Sequence, residues 1–167
     1  MILPMPLKNP KSQKLFVIPT SQPVLLGIYE EDKLTQTFEL NKPLSDGLVP
    51  LFAEISKQYP HLQSLYFIRG PGSFMALKLF YLFAKTLEIA KKFEILAACG
   101  FDFNQKSPIK AYGNCYFVCD KDNHIILKNF PTPPLIAPYT LPKILDLNLF
   151  SKELEPLYIL PCVKETK

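Results

Sequence analysis

Arginine is almost absent from this chain: Arg69 is the one arginine among 19 basic residues, and the rest are lysine. Base readout and two-pronged phosphate recognition favour the planar arginine fork, so direct sequence-specific nucleic-acid binding is not expected. Histidine is scarce too, and His61 and His124 are too isolated in sequence to make a metal motif. The four cysteines, Cys99, Cys115, Cys119 and Cys162, include no Cys-x-x-Cys pair. That argues against a zinc site or a disulfide framework and leaves buried free thiols. Long apolar runs are missing: residues 75–90 come nearest and are interrupted by Lys78, Lys85 and Glu88, so no membrane span is expected. Pro4, Pro6, Lys8, Pro10 and Lys11 break residues 1–14 where a secretory segment needs continuous hydrophobicity, which points to the cytoplasm.

What remains is a mildly basic chain of 167 residues, net charge +4 and 48% hydrophobic. It can bury a sizeable core as one domain or two small lobes. Leu15 to Ile18 and Val24 to Tyr29 read as adjoining strands across a Pro-Thr-Ser-Gln-Pro turn. Past a polar tip at Glu30 to Lys33, Leu34, Gln36, Phe38 and Leu40 alternate with Thr35, Thr37 and Glu39, the period of a third strand with one wetter face. Leu48, Leu51, Phe52, Ile55 and Tyr59 then recur at helical spacing, with Asp46 as the expected N-cap, Pro50 in the first turn and Pro60 as the stop. A strand at Leu65 to Ile68, a second helix from Phe74 to Lys92 and a strand at Phe93 to Ala98 complete a βββαβαβ order. Further on, Tyr112, Cys115, Phe117 and Cys119 suggest one strand, which turns at Lys121 to His124 into Ile125 to Leu127 as a hairpin. Prolines at 131, 133, 134, 138, 142, 156 and 161 disfavour long helices and central strands, so an extended tail packed on the first lobe is expected. The expected organisation is a flexible segment over 1–14, an α/β lobe over 15–103, and a reduced C-terminal lobe with its tail over 104–167.

The most specific chemistry lies at Gly70-Pro71-Gly72-Ser73-Phe74, where a strand passes through glycines into a helix. Glycines around a proline allow a sharp turn and a close backbone approach, and Ser73 is placed to cap the helix. A helix N-terminus reached through glycines can also contact phosphate. The pattern lacks the third glycine of a dinucleotide fingerprint and the Gly-Lys-Ser/Thr ending of a P-loop. Ser73 has neither a Gly-x-Ser-x-Gly elbow nor a local base, so capping and not nucleophilic attack is its expected role.

The segment Gly70-Pro71-Gly72-Ser73-Phe74-Met75-Ala76-Leu77-Lys78 resembles the Gly-Pro-Gly-Ser-Phe-Thr-Gly-Leu-Arg motif of the TsaB (YeaZ) family. Leu15 to Ser21 resembles, more weakly, that family's first strand ending in Asp-Thr-Ser. The resemblance covers roughly the first 100 residues. It implies a ribonuclease-H-like lobe of the actin-like ATPase (ASKHA) fold, to which the βββαβαβ order belongs, with a smaller second half. It also implies a non-catalytic scaffold in threonylcarbamoyladenosine modification of tRNA. Such a scaffold pairs with a TsaD-type catalytic paralogue, recruits a TsaE-type ATPase through the pair, can form a homodimer, and meets tRNA only indirectly. No cofactor is then required by this chain, and ATP or ADP would sit at the partner interface. Pro19 stands where the family places its acid, and Met75, Ala76 and Lys78 replace Thr, Gly and Arg. The missing carboxylate removes the group that would hold Mg²⁺ in an actin-like ATPase, so no catalysis is expected. Two other readings stay open: a residual actin-like nucleotide-binding protein or ATPase with phosphate at Gly70 to Ser73, and an orphaned dimerisation module.

The second helix is apolar around far more than the arc needed to cover one sheet. Lys78, Tyr81, Lys85, Glu88 and Lys92 make its one narrow polar stripe. Either the proline-rich tail buries the excess, or a partner helix does. On the partner reading the contact residues are Met75, Ala76, Leu79, Phe80, Phe83, Ala84 and Leu87, with Leu51 and Ile55 of the neighbouring helix, and Phe80 and Phe83 are the anchors.

Overall fold

A computed structural model describes residues 12–157. The N-terminal segment expected over 1–14 falls mostly outside them, as do Pro161 and Cys162, but Gln13 and Lys14 already belong to the first strand. Eight strands and two α-helices follow in order: β1 (Gln13–Ile18), β2 (Val24–Glu30), β3 (Lys33–Leu40), α1 (Leu44–Gln58), β4 (Ser64–Ile68), α2 (Phe74–Lys91), β5 (Glu94–Ala98), β6 (Ile109–Tyr112), β7 (Cys115–Cys119) and β8 (Ile125–Asn129). The main sheet has the order β3-β2-β1-β4-β5. β1 pairs antiparallel with β2 and parallel with β4, so the crossovers through α1 and α2 place both helices against the sheet.

Continuous apolar runs in β1 and β4 mark strands covered on both faces. Leu15, Val17, Leu65, Phe67 and Ile95 face the helices, while Phe16, Ile18, Tyr66, Ile68 and Ala98 face the other way. The proline-rich tail covers that second face. It pairs with β3 through Lys33 and Ile144, crosses the sheet, and pairs with β5 through Ala97 and Ser151. Phe150 lies edge-on to Phe16 and Tyr66, with ring centroids 5.5 and 4.9 Å away. Tyr29 reaches the same layer and donates to the Pro142 carbonyl at 2.6 Å. The described part of the tail therefore leaves Met75, Leu82 and Ile89 of α2 exposed. It lies on the far side of the sheet, and Leu154 joins the helix-side core.

Several sequence expectations need correction. A bulge at Thr35 shifts the β2–β3 register, so Tyr29 pairs with Leu34 while Ile28 pairs with Gln36. Leu34 consequently packs on the tail side, and Phe38 and Leu40 on the helix side, where unbroken alternation would have put all three together. α1 begins four residues before Leu48. Pro43 precedes it, and Asp46 lies in its first turn, where the carboxylate meets the positive end of the helix without capping it. Pro50 is thereby inside the helix and not at its start. The predicted hairpin is a three-stranded antiparallel sheet, because Gly113, at φ +52°, lets the chain reverse between Tyr112 and Cys115. Cys99, Cys115 and Cys119 are unpaired and half-buried where full burial was expected, and burial raises the Cys99 thiol pKa.

Tyr66, buried under the tail, has its pKa pushed up to about 12, mainly by desolvation and further by Glu94 and Asp32. The folded chain holds this proton more tightly than the unfolded chain. The stability Tyr66 contributes is fully present below its unfolded value near 10 and is lost as pH rises towards 12. Urea midpoints measured from about pH 9 to about 11.5 will fall, and Tyr66→Phe will flatten the decline.

Candidate functional site

Two surfaces meet at the start of α2: the Gly70–Ser73 turn and the outward face of the helix. The turn sits at the C-terminal ends of β1 and β4, where strands leave the sheet. Gly70 takes φ +123°, a conformation an L side chain rarely adopts. A Cβ on Gly72 would lie 2.8 Å from the Thr20 methyl, and one on Gly70 would lie 2.9 Å from Leu77 Cδ1. The Gly70 carbonyl accepts from the Gly100 N–H at 2.8 Å, and Pro71 is buried. The glycines thus serve close packing between the end of β1, the 3₁₀ turn after β5 and α2. Ser73 Oγ accepts from the Ala76 N–H at 3.4 Å, as a cap does. Phe74, beside it, carries Lys78 over its ring at 5.9 Å.

A cavity of about 470 Å³ opens beside the turn. Thr20, Ser21, Gln22, Asn41, Lys42 and Ala76 contribute to its wall, but none of Gly70 to Ser73 does. Lys42 is its one charged group, so the cavity offers hydroxyls, amides and a cation without a carboxylate to hold a metal or take a proton. Arg69 is occupied structurally: its guanidinium donates to the Glu155 carbonyl at 2.8 Å and pairs with Glu153 at 3.1 Å, pinning the tail to the end of β4. Asp102 lies in the 3₁₀ turn beside Lys106, 3.6 Å away. His61 is exposed. His124 is less solitary than its sequence position implied: it lies at the β7–β8 tip with Asp122, also exposed, and the half-buried Asp120. One Asp120 oxygen there already accepts the backbone N–H groups of Asp122 and His124, each at 2.9 Å, which explains the trio as turn chemistry.

The helix carries two apolar stripes. Leu77, Phe80, Ala84 and Leu87 follow steps of three and four and are buried against the sheet. Met75, Leu79, Leu82, Thr86 and Ile89 follow steps of four and three on the opposite side. Met75, Leu82 and Ile89 are 73%, 56% and 70% exposed. Phe83 stands between the stripes, half-buried, with its ring edge-on to Phe52 of α1 at 5.2 Å. On α1, Leu51 is half-buried against the core and Val49, next to Pro50, is exposed.

This division sorts the residues expected at an interface. Phe80, Ala84, Leu87 and Ile55 belong to the chain's own core and are not available to a partner; Phe80 and Ile55 are 0% exposed. Met75 is exposed, while Ala76, Leu79, Phe83 and Leu51 are partly so. Leu82 and Ile89, the most prominent members after Met75, were missed by singling out phenylalanines as anchors. The signal that finds them is the second four-three repeat, half a turn from the first.

YeaZ from Pseudomonas aeruginosa superposes with a TM-score of 0.56 at 13% identity, over 76% of this chain and 67% of that one. The fold is YeaZ-like. An uncharacterised protein with similarity to peptidase YeaZ from Pseudomonas aeruginosa aligns with a TM-score of 0.51 at 13% identity, over 71% of this chain and 64% of that one. The chain thus spans about two thirds of the length of each. No family model matches the sequence, and the search of curated proteins returns no match. Within the YeaZ-like fold the described residues contain no helix long and apolar enough to cross a membrane.

Proposed function

We propose that this chain is a binding subunit, a TsaB-like scaffold that pairs with a TsaD-type catalytic paralogue in threonylcarbamoyladenosine modification of tRNA. The observation that carries this reading is the outer stripe of α2. Apolar side chains at Met75, Leu82 and Ile89 stand exposed at intervals of seven, with the partly buried Leu79 and the exposed Thr86 between them, while a complete inner stripe already serves the core. A helix that needs only one apolar face to fold has been given two, and the second suits a partner helix. The Gly70 to Phe74 identities, the YeaZ-like fold and the ribonuclease-H-like strand order support the choice of partner.

In this scheme the chain binds and does no chemistry. Pro19 ends the first strand where an actin-like ATPase requires an acid, and the adjoining cavity is lined without a carboxylate. Nucleotide, if used, is held where the two subunits meet, a TsaE-type ATPase joins through the pair, and tRNA is contacted by the partner in the cytoplasm. Reconstitution tests the reading. TsaD-type and TsaE-type proteins from the same source, supplied with threonylcarbamoyl-adenylate and tRNA, should form the modified nucleoside only when this chain is added, as measured by mass spectrometry. Equal product without it would remove the scaffold role.

A further inference from the structure

The outer stripe of α2 is flanked asymmetrically. Taking Met75, Leu79, Leu82, Thr86 and Ile89 as a seam, one flank carries Lys78 and Lys85, seven residues apart, and ends at Lys92, the residue at φ +58° that closes α2, while the other flank carries Ala76, Phe83 and Ala90. All three lysines lie at or near the surface. Glu88 pairs with Lys85 at 2.8 Å, while Lys91, four residues past Leu87, faces α1 over the Phe52 ring at 5.8 Å and lies off this flank. Counting Lys78, Lys85 and Lys92 against Glu88, this side of the helix is positive by two.

Flanking charges set partner and orientation when helices pair along such a seam. Two antiparallel copies would bring the lysine flanks together, with Lys85 near its own mate and Lys78 near Lys92. Two parallel copies would set each lysine against Ala76, Phe83 or Ala90, which offer it no acid. Lys85 keeps its own Glu88, and a second copy brings no acid to Lys78 or Lys92 in either direction.

We propose that the occupant of this stripe is an amphipathic helix of a different protein, apolar along the seam and acidic along the edge that meets Lys78, Lys85 and Lys92. This rests on the docking reading above and adds to it the partner's charge and a bias against self-pairing. The apolar seam supplies the affinity, and the lysine row selects the partner.

The test measures affinity for the TsaD-type protein with the wild type, Leu82→Asp and the triple variant K78E/K85E/K92E, each checked for folding by circular dichroism. Charge reversal should weaken binding by about 30-fold or more at low salt, and added salt should weaken wild-type binding. If Leu82→Asp abolishes binding while the triple variant binds within about twofold of wild type, docking stands and the acidic-partner inference falls. A wild-type homodimer broken by Leu82→Asp also overturns it. If the wild type does not bind the TsaD-type protein, the docking reading fails with that partner, and a mixture of wild type with the triple variant decides the charge inference. Light scattering should then show a salt-sensitive heterodimer that Leu82→Asp removes, and its absence overturns the inference.

Discussion

Phe80→Ala will destabilise the fold by about 3–5 kcal/mol, a large part of the roughly 5–15 kcal/mol typical of a domain. The ring is fully buried between α2 and the sheet, with centroids 5.1 Å from Phe67 of β4 and 5.6 Å from Phe83. Removing it deletes the transfer energy of the side chain and leaves a cavity that aromatic neighbours cannot all close at once. The urea midpoint should drop with the slope of the transition unchanged, and a loss below about 1 kcal/mol would mean that the inner stripe is not a core. Phe80→Asp, which buries a charge at the same place, should prevent folding altogether.

Two residues along the same helix, Leu82→Asp will do the reverse. Leu82 is more than half exposed and lies outside the core clusters, so stability should change by no more than about 0.5 kcal/mol. Binding to the TsaD-type partner should weaken by about 100-fold or more, because the change removes apolar surface at the centre of the seam and puts there a carboxylate that docking must desolvate. Calorimetric titration beside a thermal melt separates the two effects. The pair is informative because residues two apart on a helix lie on nearly opposite faces. Loss of affinity with an intact melt at Leu82, against loss of the melt at Phe80, assigns one stripe to the partner and the other to the core.

The sheet and its helices were legible in the sequence because their signals are local. Continuous apolar runs in β1 and β4, helical spacing through Leu48 to Tyr59, and glycines at Gly70 and Gly72 each report the structure around them. Long-range features were not legible. The tail's prolines announced an extended chain, but nothing periodic in residues 131–157 tells which layer it covers, since Phe150 and Tyr139 could pack on either face. The Thr35 bulge adds one residue to a pattern that otherwise alternates, and no residue type there demands it. At the candidate site, the helix and its surplus of apolar surface were evident, yet the large aromatic side chains drew attention to the inner stripe. Phe80 has the size of an interface anchor and the location of a core residue, and only the sheet beneath α2 separates the two.

The arginine count also acquires a structural meaning. The one arginine fork is engaged with Glu153 and the Glu155 carbonyl, holding the tail in place. The lysines that line α2 are simple charges at the rim of an apolar seam, suited to selecting a protein partner more than to reading bases.

Light scattering on this chain mixed with the TsaD-type protein from the same source, with and without ATP, tests the docking role most directly. A single species with the mass of one copy of each is the predicted result. Two well-folded proteins that elute at their separate masses under both conditions would contradict it.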